Sequence, residues 1–186
     1  INLVLTIISA YVLSRKGPMF VKFFTLMIVF TMYFQGGTIP TYIIVDKLGL
    51  VGSRWALILP SAVNTFNLVV LRTAMAAVPE SLPESAMIDG AGHATILTYI
   101  MVPVTKASIA VITLYYAVSH WNSWFPAMIY LRKKSMYPLQ LILRTILVQD
   151  DTSTMSSGSM EALALSSDSV KYATIVVATL PILLIY

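Results

Sequence analysis

Few side chains in this sequence have types and spacings that could support catalysis. Asp89 and His93 stand four residues apart, as the members of an acid–base pair or of a metal site would on one helix. Gly90 and Gly92 lie between them and weaken any continuous helix, and the neighbouring sequence offers no third ligand. We therefore predict that His93 is a surface residue of a loop.

A hydroxyl nucleophile and a base could come from Ser119, His120 and Ser123, which are close together in the sequence. No acidic residue accompanies them, and the G-x-S-x-G motif is absent. The chain also lacks a G-x-x-x-x-G-K-[ST] phosphate-binding loop and has no cysteine, which excludes a thiolate metal site. We predict no catalytic residue, no metal site and no cofactor in this chain.

The composition indicates a bilayer rather than water as the surrounding solvent. Hydrophobic residues make up 58% of the 186 residues and charged residues 11%, and the mean hydropathy is +0.81. Soluble domains carry about 25% charged residues. This chain has fewer than it would need to cover a surface that faces water. The net charge of +4 does not indicate nucleic-acid binding, because no basic cluster is larger than Arg132-Lys133-Lys134.

Five apolar segments stand out in the chain, and none of them alternates with the period of two typical of strands. Backbone groups in hydrocarbon must pair within their own segment, so we predict an all-α bundle of transmembrane helices. The segment Phe20–Phe34, the second of five, is extended by Thr38–Val45 after the Gly36-Gly37 break. Both terminal segments are shorter than the ~20 residues that a span needs, so we expect a piece of a longer protein. The five segments are Ile1–Leu13, Phe20–Phe34, Trp55–Leu71, Val104–Val118 and Tyr172–Tyr186.

Residues 81–103 form a polar interruption between two apolar segments. Ser81 and Glu84 have the spacing of a capping box, which predicts a short helix over Leu82–Asp89 that ends at Gly90. A second helix should run from about His93 to Met101 and end before Pro103. Small residues on the first helix suit docking into a partner's groove, whereas a simple connector on the membrane surface is the alternative.

Three groups of residues in this interruption resemble the EAA loop of ABC importer permeases. They are Glu84-Ser85-Ala86, Asp89-Gly90-Ala91 and Ile100-Met101-Val102-Pro103, at the spacing of that family's E-A-A, G and I-x-L-P pattern. Ser85 and Val102 depart from the pattern but are similar in size to the family's residues. The D-G-A form is similar to carbohydrate importers in particular.

The resemblance extends along most of the chain. The stretch AYVLSR, from Ala10 to Arg15, looks like the end of an early span in the family. The stretch HWNSWF from His120 to Phe125 and the stretch YPLQ from Tyr137 to Gln140 are similar to the lipoprotein and oligosaccharide branch of these permeases. Motifs in series are more specific than one EAA match alone.

The resemblance implies a type I ABC importer permease fold, with residues 1–186 as one transmembrane domain that holds about five spans of a six-span protein. Residues 81–103 would be a cytoplasmic coupling loop in a cleft of an ATP-binding subunit, and residues 120–169 an external loop region. Arg15 and Arg72 would then lie on the cytoplasmic side. The residues assigned to coupling are Glu84, Ser85, Ala86, Asp89, Gly90, Ala91, Ile100 and Pro103.

The same resemblance implies an importer of the bacterial cytoplasmic (inner) membrane that moves an oligosaccharide by alternating access. Its partners would be a second homologous permease, two ATP-binding subunits that hold ATP and Mg²⁺, and an external substrate-binding protein. This chain would be non-catalytic. An importer of a non-sugar solute is one alternative. An ATP-independent secondary transporter is another, although every acidic residue lies in a predicted loop rather than in a span.

Polar and aromatic residues in or beside the spans are candidates for the translocation pathway. Aromatic rings can stack on the C–H faces of sugars and amides can bond their hydroxyl groups. Tryptophan and tyrosine also gather at membrane interfaces, and asparagine also links helices, so both interpretations stay open. The external Arg132-Lys133-Lys134 suits either an anionic glycan or a lipid headgroup. The pathway candidates are Asn64, Asn67, Tyr116, Trp121, Asn122 and Trp124.

Overall fold

The computed structural model describes residues 1–15, 20–156 and 160–185, and this part of the chain is helical without any strand. The prediction of an all-α fold is therefore confirmed. The chain divides into two compact units. Unit 1 comprises Ile1–Leu48 and Ile58–Tyr116, and unit 2 comprises Gly49–Leu57 and Ala117–Tyr186.

The helices are numbered in chain order. The first five are α1 (Asn2–Ser14), α2 (Val21–Tyr33), α3 (Thr38–Lys47), α4 (Trp55–Ile58) and α5 (Thr65–Ala76). Then follow α6 (Ser81–Ile88), α7 (His93–Ile96), a π-helical turn (Leu97–Met101), α8 (Val102–Val104) and α9 (Lys106–Trp121). The last are α10 (Trp124–Tyr130), a 3₁₀ turn (Lys134–Met136), α11 (Leu139–Ser156) and α12 (Met160–Ile185).

The core of unit 1 forms where α1 packs along α5. Ala10 of α1 and Leu71 of α5 are fully buried, and Ile112 of α9 is also fully buried in the same cluster. Hydroxyl groups take part in this packing. The buried Thr6 hydroxyl donates to the Asn2 carbonyl at 2.8 Å and lies 2.7 Å from the Tyr116 hydroxyl, which joins α1 to α9.

Two predictions about the apolar segments have different outcomes. The extension of the second segment beyond the glycines is confirmed, because α3 follows Gly37, whose φ of 85° turns the chain between α2 and α3. The prediction of one continuous segment over Trp55–Leu71 is wrong, because α4 ends at Ile58 and α5 begins only at Thr65. Asn64 caps α5 by accepting a hydrogen bond from the Asn67 backbone, and asparagine favours this position over a helix interior.

Among the described helices, none alone has the length and apolarity needed to cross a bilayer. By those two criteria only, α2 with α3 reaches the requirement as a pair bent by 114°, and His93–Val104 with α9 does so as a pair bent by 85°.

Residues 120–169 contain helices where the sequence predicted a long loop. In unit 2, Ala127 and Leu131 pack with Leu141 of α11 in a small buried cluster. The external loop region predicted over residues 120–169 includes most of α11, which ends at Ser156, and the start of α12 at Met160. Residues 157–159 lie outside the described residues. A helix needs no apolar stripe where its residue types favour helical backbone, as the Glu, Ala and Leu residues after Met160 do.

Candidate functional site

The start of α6 differs from the predicted capping box. The chain enters the helix through a turn in which the Leu82 backbone donates to the Pro79 carbonyl at 3.2 Å. Glu80 is therefore the residue before the helix, and its side chain makes no capping bond. Because Ser81 is already helical, its hydroxyl cannot serve as the cap. The sequence pattern was correct for the presence of the helix but wrong for the way it begins.

The end of α6 is a Schellman motif centred on Gly90. The Ala91 backbone donates to the Ala86 carbonyl at 2.9 Å, and the Gly90 backbone donates to the Met87 carbonyl at 3.0 Å. Gly90 has a φ of 84°, which residues with a Cβ rarely adopt. The prediction that the helix ends at Gly90 is confirmed.

The coupling residues assigned on α6 divide between two faces. Glu84, Ser85 and Asp89 are exposed, whereas Ala86 and Ala91 are half-buried and pack against the core of unit 1. The inward alanines hold the helix to the bundle, and the outward residues are available to a partner.

Ile88 is the residue of α6 that the sequence analysis missed. Its large apolar side chain is 86% exposed, more than Leu82 and Met87 of the same helix, which are each 42% exposed. Exposed apolar side chains rimmed by polar residues mark interaction surfaces. The signal was available in the sequence, since Ile88 lies four residues after Glu84 and therefore on the same helix face.

The second half of the loop continues further than predicted. The helix does not end before Pro103 but passes through a π-helical turn, Leu97–Met101, into α8. In an α-helix the ring of Pro103 would clash with the carbonyl four residues earlier. The wider π turn, closed by the Val102 backbone donating to the Leu97 carbonyl, precedes the proline and accommodates it. Ile100 is half-buried beside it and Pro103 is exposed.

Two long-range hydrogen bonds reach the second half of α1. One comes from residues 81–103 and the other from α5. The hydroxyl of buried Tyr11 lies 3.1 Å from His93 Nδ1, and the two rings meet edge to face. Arg72 of α5 donates from Nε to the Leu13 carbonyl at 3.1 Å. His93 is exposed as predicted, but it is the first residue of α7 rather than part of a loop. Its contact with a residue 82 positions away gives no signal in the sequence.

A polar cavity of about 400 Å³ lies in unit 1, and Asn64, one of the predicted pathway residues, is part of its lining. Thr31 and Gln35, Ser61 and Asn64 contribute polar groups to its lining, and Phe66 contributes an aromatic ring. A cavity that offers amide, hydroxyl and aromatic groups can bind a hydroxylated ligand.

The other pathway candidates of unit 1 are buried rather than exposed. Asn67 is 5% exposed and Tyr116 is 7% exposed. The Tyr116 hydroxyl accepts a hydrogen bond from the Asn64 backbone at 3.1 Å, so it supports the segment that carries Asn64. Asn64 precedes α5 and does not share a helix face with Asn67, because the predicted continuous span is broken there.

The predicted pathway candidates of unit 2 make contacts within that unit. Trp121 donates from Nε1 to the Ala178 carbonyl at 3.1 Å. Asn122 donates from its side chain to the Val118 carbonyl at 3.1 Å, one helical turn earlier. The guanidinium carbon of Arg144 lies 3.4 Å from the centroid of the Trp124 ring and covers one of its faces. A pathway role for these three residues stays a prediction.

Comparison with known proteins finds similar permeases. No protein-family model matches the chain. The chain is 42% identical over 191 residues to the polygalacturonan/rhamnogalacturonan transport system permease protein YtcP of Bacillus subtilis (strain 168), with 100% of this chain and 65% of that protein covered. It is 37% identical over 186 residues to Protein LplC of the same organism, with 100% of this chain and 63% of that protein covered. The chain thus spans less than two thirds of the length of these relatives.

A solved structure agrees with these relatives. The chain superimposes with a TM-score of 0.86 and 30% identity on a bacterial ABC transporter involved in the import of the acidic polysaccharide alginate, with 100% of this chain and 66% of that chain covered. The fold is therefore that of an ABC importer permease. Over its full length, in sequence and in structure, the chain is similar to permeases of carbohydrate ABC transport systems.

Proposed function

We propose that the chain is the transmembrane permease subunit of an ATP-driven, binding-protein-dependent importer that moves an oligosaccharide across the bacterial cytoplasmic membrane. The observation that carries the proposal is that residues 81–103 have two different faces. Their outer face exposes Glu84, Asp89 and the apolar Ile88, while their inner face packs on the core and bonds to Tyr11. Such a surface suits docking to a partner whose movement must reach the helices.

The mechanism would be alternating access driven from outside the chain. ATP and Mg²⁺ would bind in two partner ATPase subunits, and closure of their dimer would displace α6. Because α6 ends in a rigid Schellman turn and His93 bonds to Tyr11, the displacement would pass to α1 rather than be absorbed by a loose loop. A second homologous permease would complete the pathway, and an external binding protein would deliver the sugar.

We further propose that the cargo is acidic. The named relative serves polygalacturonan, a uronic-acid polymer, and the structural neighbour is involved in the import of an acidic polysaccharide. Arg132, Lys133 and Lys134 are all exposed in this chain and can attract carboxylates. The hydroxyl and amide groups of the cavity beside Asn64 would bind sugar hydroxyls.

The experiment that tests the proposal measures ATP hydrolysis by the reconstituted complex with and without binding protein and oligogalacturonate. Glu84→Ala should abolish most of the ligand-stimulated hydrolysis, because it removes a charged contact of the docking face. Asp46→Ala is the matched control, since Asp46 is also an exposed carboxylate but lies in α3. Stimulation that persists unchanged in the Glu84 variant would reduce residues 81–103 to a connector.

A further inference from the structure

A second cavity of unit 1 lies where α1 ends, α2 begins and α5 approaches α6. Its volume is about 330 Å³, and Arg15, Lys22 and Arg72 contribute to its lining. Among the described residues that line it, Glu80 supplies the only carboxylate. Three cations against one anion make this cavity positive, and neither the transport mechanism nor the coupling face uses it.

Arg15 has unused hydrogen-bonding capacity in this cavity. Its Nε and Nη2 atoms are buried and have no hydrogen-bond partner among the described residues. The guanidinium carbon lies 4.6 Å from the centroid of the Tyr11 ring, which is a cation–π contact but not a hydrogen-bond acceptor. Buried charged donors without acceptors are unfavourable, and among the described residues these donors have none, so a ligand that brings oxygen atoms would stabilise this part of the site. A tetrahedral phosphate matches the fork of a guanidinium group.

The surroundings of the cavity favour a lipid as the source of that phosphate. Val21 and Lys22 line the cavity from the first turn of α2. The same stretch of chain exposes Phe20, Phe23 and Phe24 at 62%, 63% and 50%. A headgroup in the cavity would therefore leave its acyl chains beside exposed apolar rings, whereas a free anion would make no use of them. Basic pockets between transmembrane helices on the cytoplasmic side are typical sites for anionic headgroups.

We propose that Arg15, Lys22 and Arg72 bind the phosphate of an anionic phospholipid, with the acyl chains along the phenylalanines at the start of α2. The inference rests on the proposed membrane location but not on the transported sugar. The lipid would hold the ends of α1, α2 and α5 together beside the start of α6. This would make the stability of the region that carries the coupling helix depend on lipid composition.

The test titrates the purified full-length complex in detergent with phosphatidylglycerol, phosphatidylcholine or inorganic phosphate and counts bound molecules by native mass spectrometry. One tightly bound phosphatidylglycerol per chain is expected. Lys22→Gln should weaken it about fivefold, the equivalent of about 1 kcal/mol for one surface cation. Arg15→Gln should weaken it by at least about tenfold. Lys22 is exposed and forms no hydrogen bond or ion pair within the described residues, so its variant is expected to fold.

Lys106→Gln is the matched control, because Lys106 is an exposed lysine of α9 outside the lining. Its variant should bind phosphatidylglycerol as the unmodified complex does. Equal binding of phosphatidylcholine, or unchanged binding in both cavity variants, would overturn the proposal. Displacement by inorganic phosphate at the same concentration would assign a free-anion site instead. Loss of the ATPase subunits from the Arg15 variant, with lipid binding unchanged, would assign the cavity to a protein carboxylate and also overturn it.

Discussion

At the scale of single residues, the bond between Tyr11 and His93 joins residues 81–103 to α1, in addition to the packing of Ala86 and Ala91 on the core. Tyr11 is 5% exposed, so its hydroxyl bonds to His93 from within the protein rather than from the surface. The tautomer of His93 decides which partner donates. Because the bond is long-range, it holds α7 against α1 independently of the local backbone.

We predict that this bond contributes about 0.5–1.5 kcal/mol to the free energy of unfolding. Tyr11→Phe keeps the buried ring and removes only the hydroxyl, and His93→Ala removes the other partner. The double variant should therefore be more stable than the sum of the single effects by that amount in a double-mutant cycle of thermal unfolding. Tyr99→Phe, on a side chain that is 79% exposed, serves as the control and should have no effect. Strict additivity of the two changes would show that the bond is absent in solution.

At the scale of elements, Gly90 and Gly92 have different conformational requirements although they stand two residues apart. Gly90 has a φ of 84° and Gly92 a φ of −74°, and a Cβ added at either position would meet no atom within 4 Å. Steric space is therefore equal at the two positions, and only the backbone conformation distinguishes them.

We predict that Gly90→Ser destabilises the protein by about 1–2 kcal/mol, the cost of left-handed backbone for a residue with a Cβ. The apparent melting temperature should fall by a few degrees, and ligand-stimulated ATP hydrolysis should fall with it because the end of α6 loosens. Gly92→Ser introduces the same side chain at the residue before α7, where serine is favoured as a cap, and should leave both readouts unchanged or improved. Equal losses in the two variants would show that the Schellman turn does not matter.

The exposed face of α6 gives a second prediction at this scale. Ile88→Ser should leave the stability of the chain within about 0.5 kcal/mol, because the side chain is exposed. It should weaken binding of the ATPase subunit about tenfold, as the loss of an apolar anchor costs about 1–2 kcal/mol at an interface. Co-purification of the subunits and a binding titration measure this. Ile39→Ser changes an isoleucine of similar exposure, 75%, in α3 and should not affect binding. Normal binding by the Ile88 variant would exclude this face as the docking site.

At the scale of the whole molecule, the exposed basic run Arg132-Lys133-Lys134 belongs to unit 2, whereas the polar cavity beside Asn64 belongs to unit 1. A charged surface suits carboxylates, and an uncharged polar cavity suits hydroxyl groups. The former would attract carboxylates over a distance set by ionic strength, and the latter would bond hydroxyl groups without selecting for charge.

We predict that neutralising Arg132, Lys133 and Lys134 to glutamine lowers uptake of oligogalacturonate several-fold at low ionic strength and much less at high salt, because electrostatic attraction is screened. Uptake of a neutral oligosaccharide of the same length, if the complex carries it, should be unchanged. The control replaces Lys47, Arg54 and Lys106 by glutamine, because these residues are also exposed and the same number of charges is removed. Unchanged uptake of the acidic sugar would remove the basic run from substrate selection.

The sequence by itself determined the features that depend on neighbouring residues. Apolar runs without alternation were enough for the all-α fold, because hydrophobic periodicity acts within one element. Gly90 marked the end of α6, since left-handed backbone is a property of one residue and its turn. The spacing of Glu84, Gly90 and Pro103 was enough to indicate the resemblance to ABC importer permeases, because that resemblance rests on the order and spacing of residues along the chain.

Tertiary structure decided the features that depend on distant residues. The break between Ile58 and Thr65 is a local feature instead, because Pro60 lies within it and Asn64 caps α5, although the apolarity of the stretch concealed it. The passage of the helix through Pro103 required a π turn, whose register the bundle selects. The link from Tyr11 to His93 arises from segments brought together by folding, as do the buried Arg15 donors that have no partner in the described part of the chain. Such contacts join residues tens of positions apart, and local propensity carries no information about that approach.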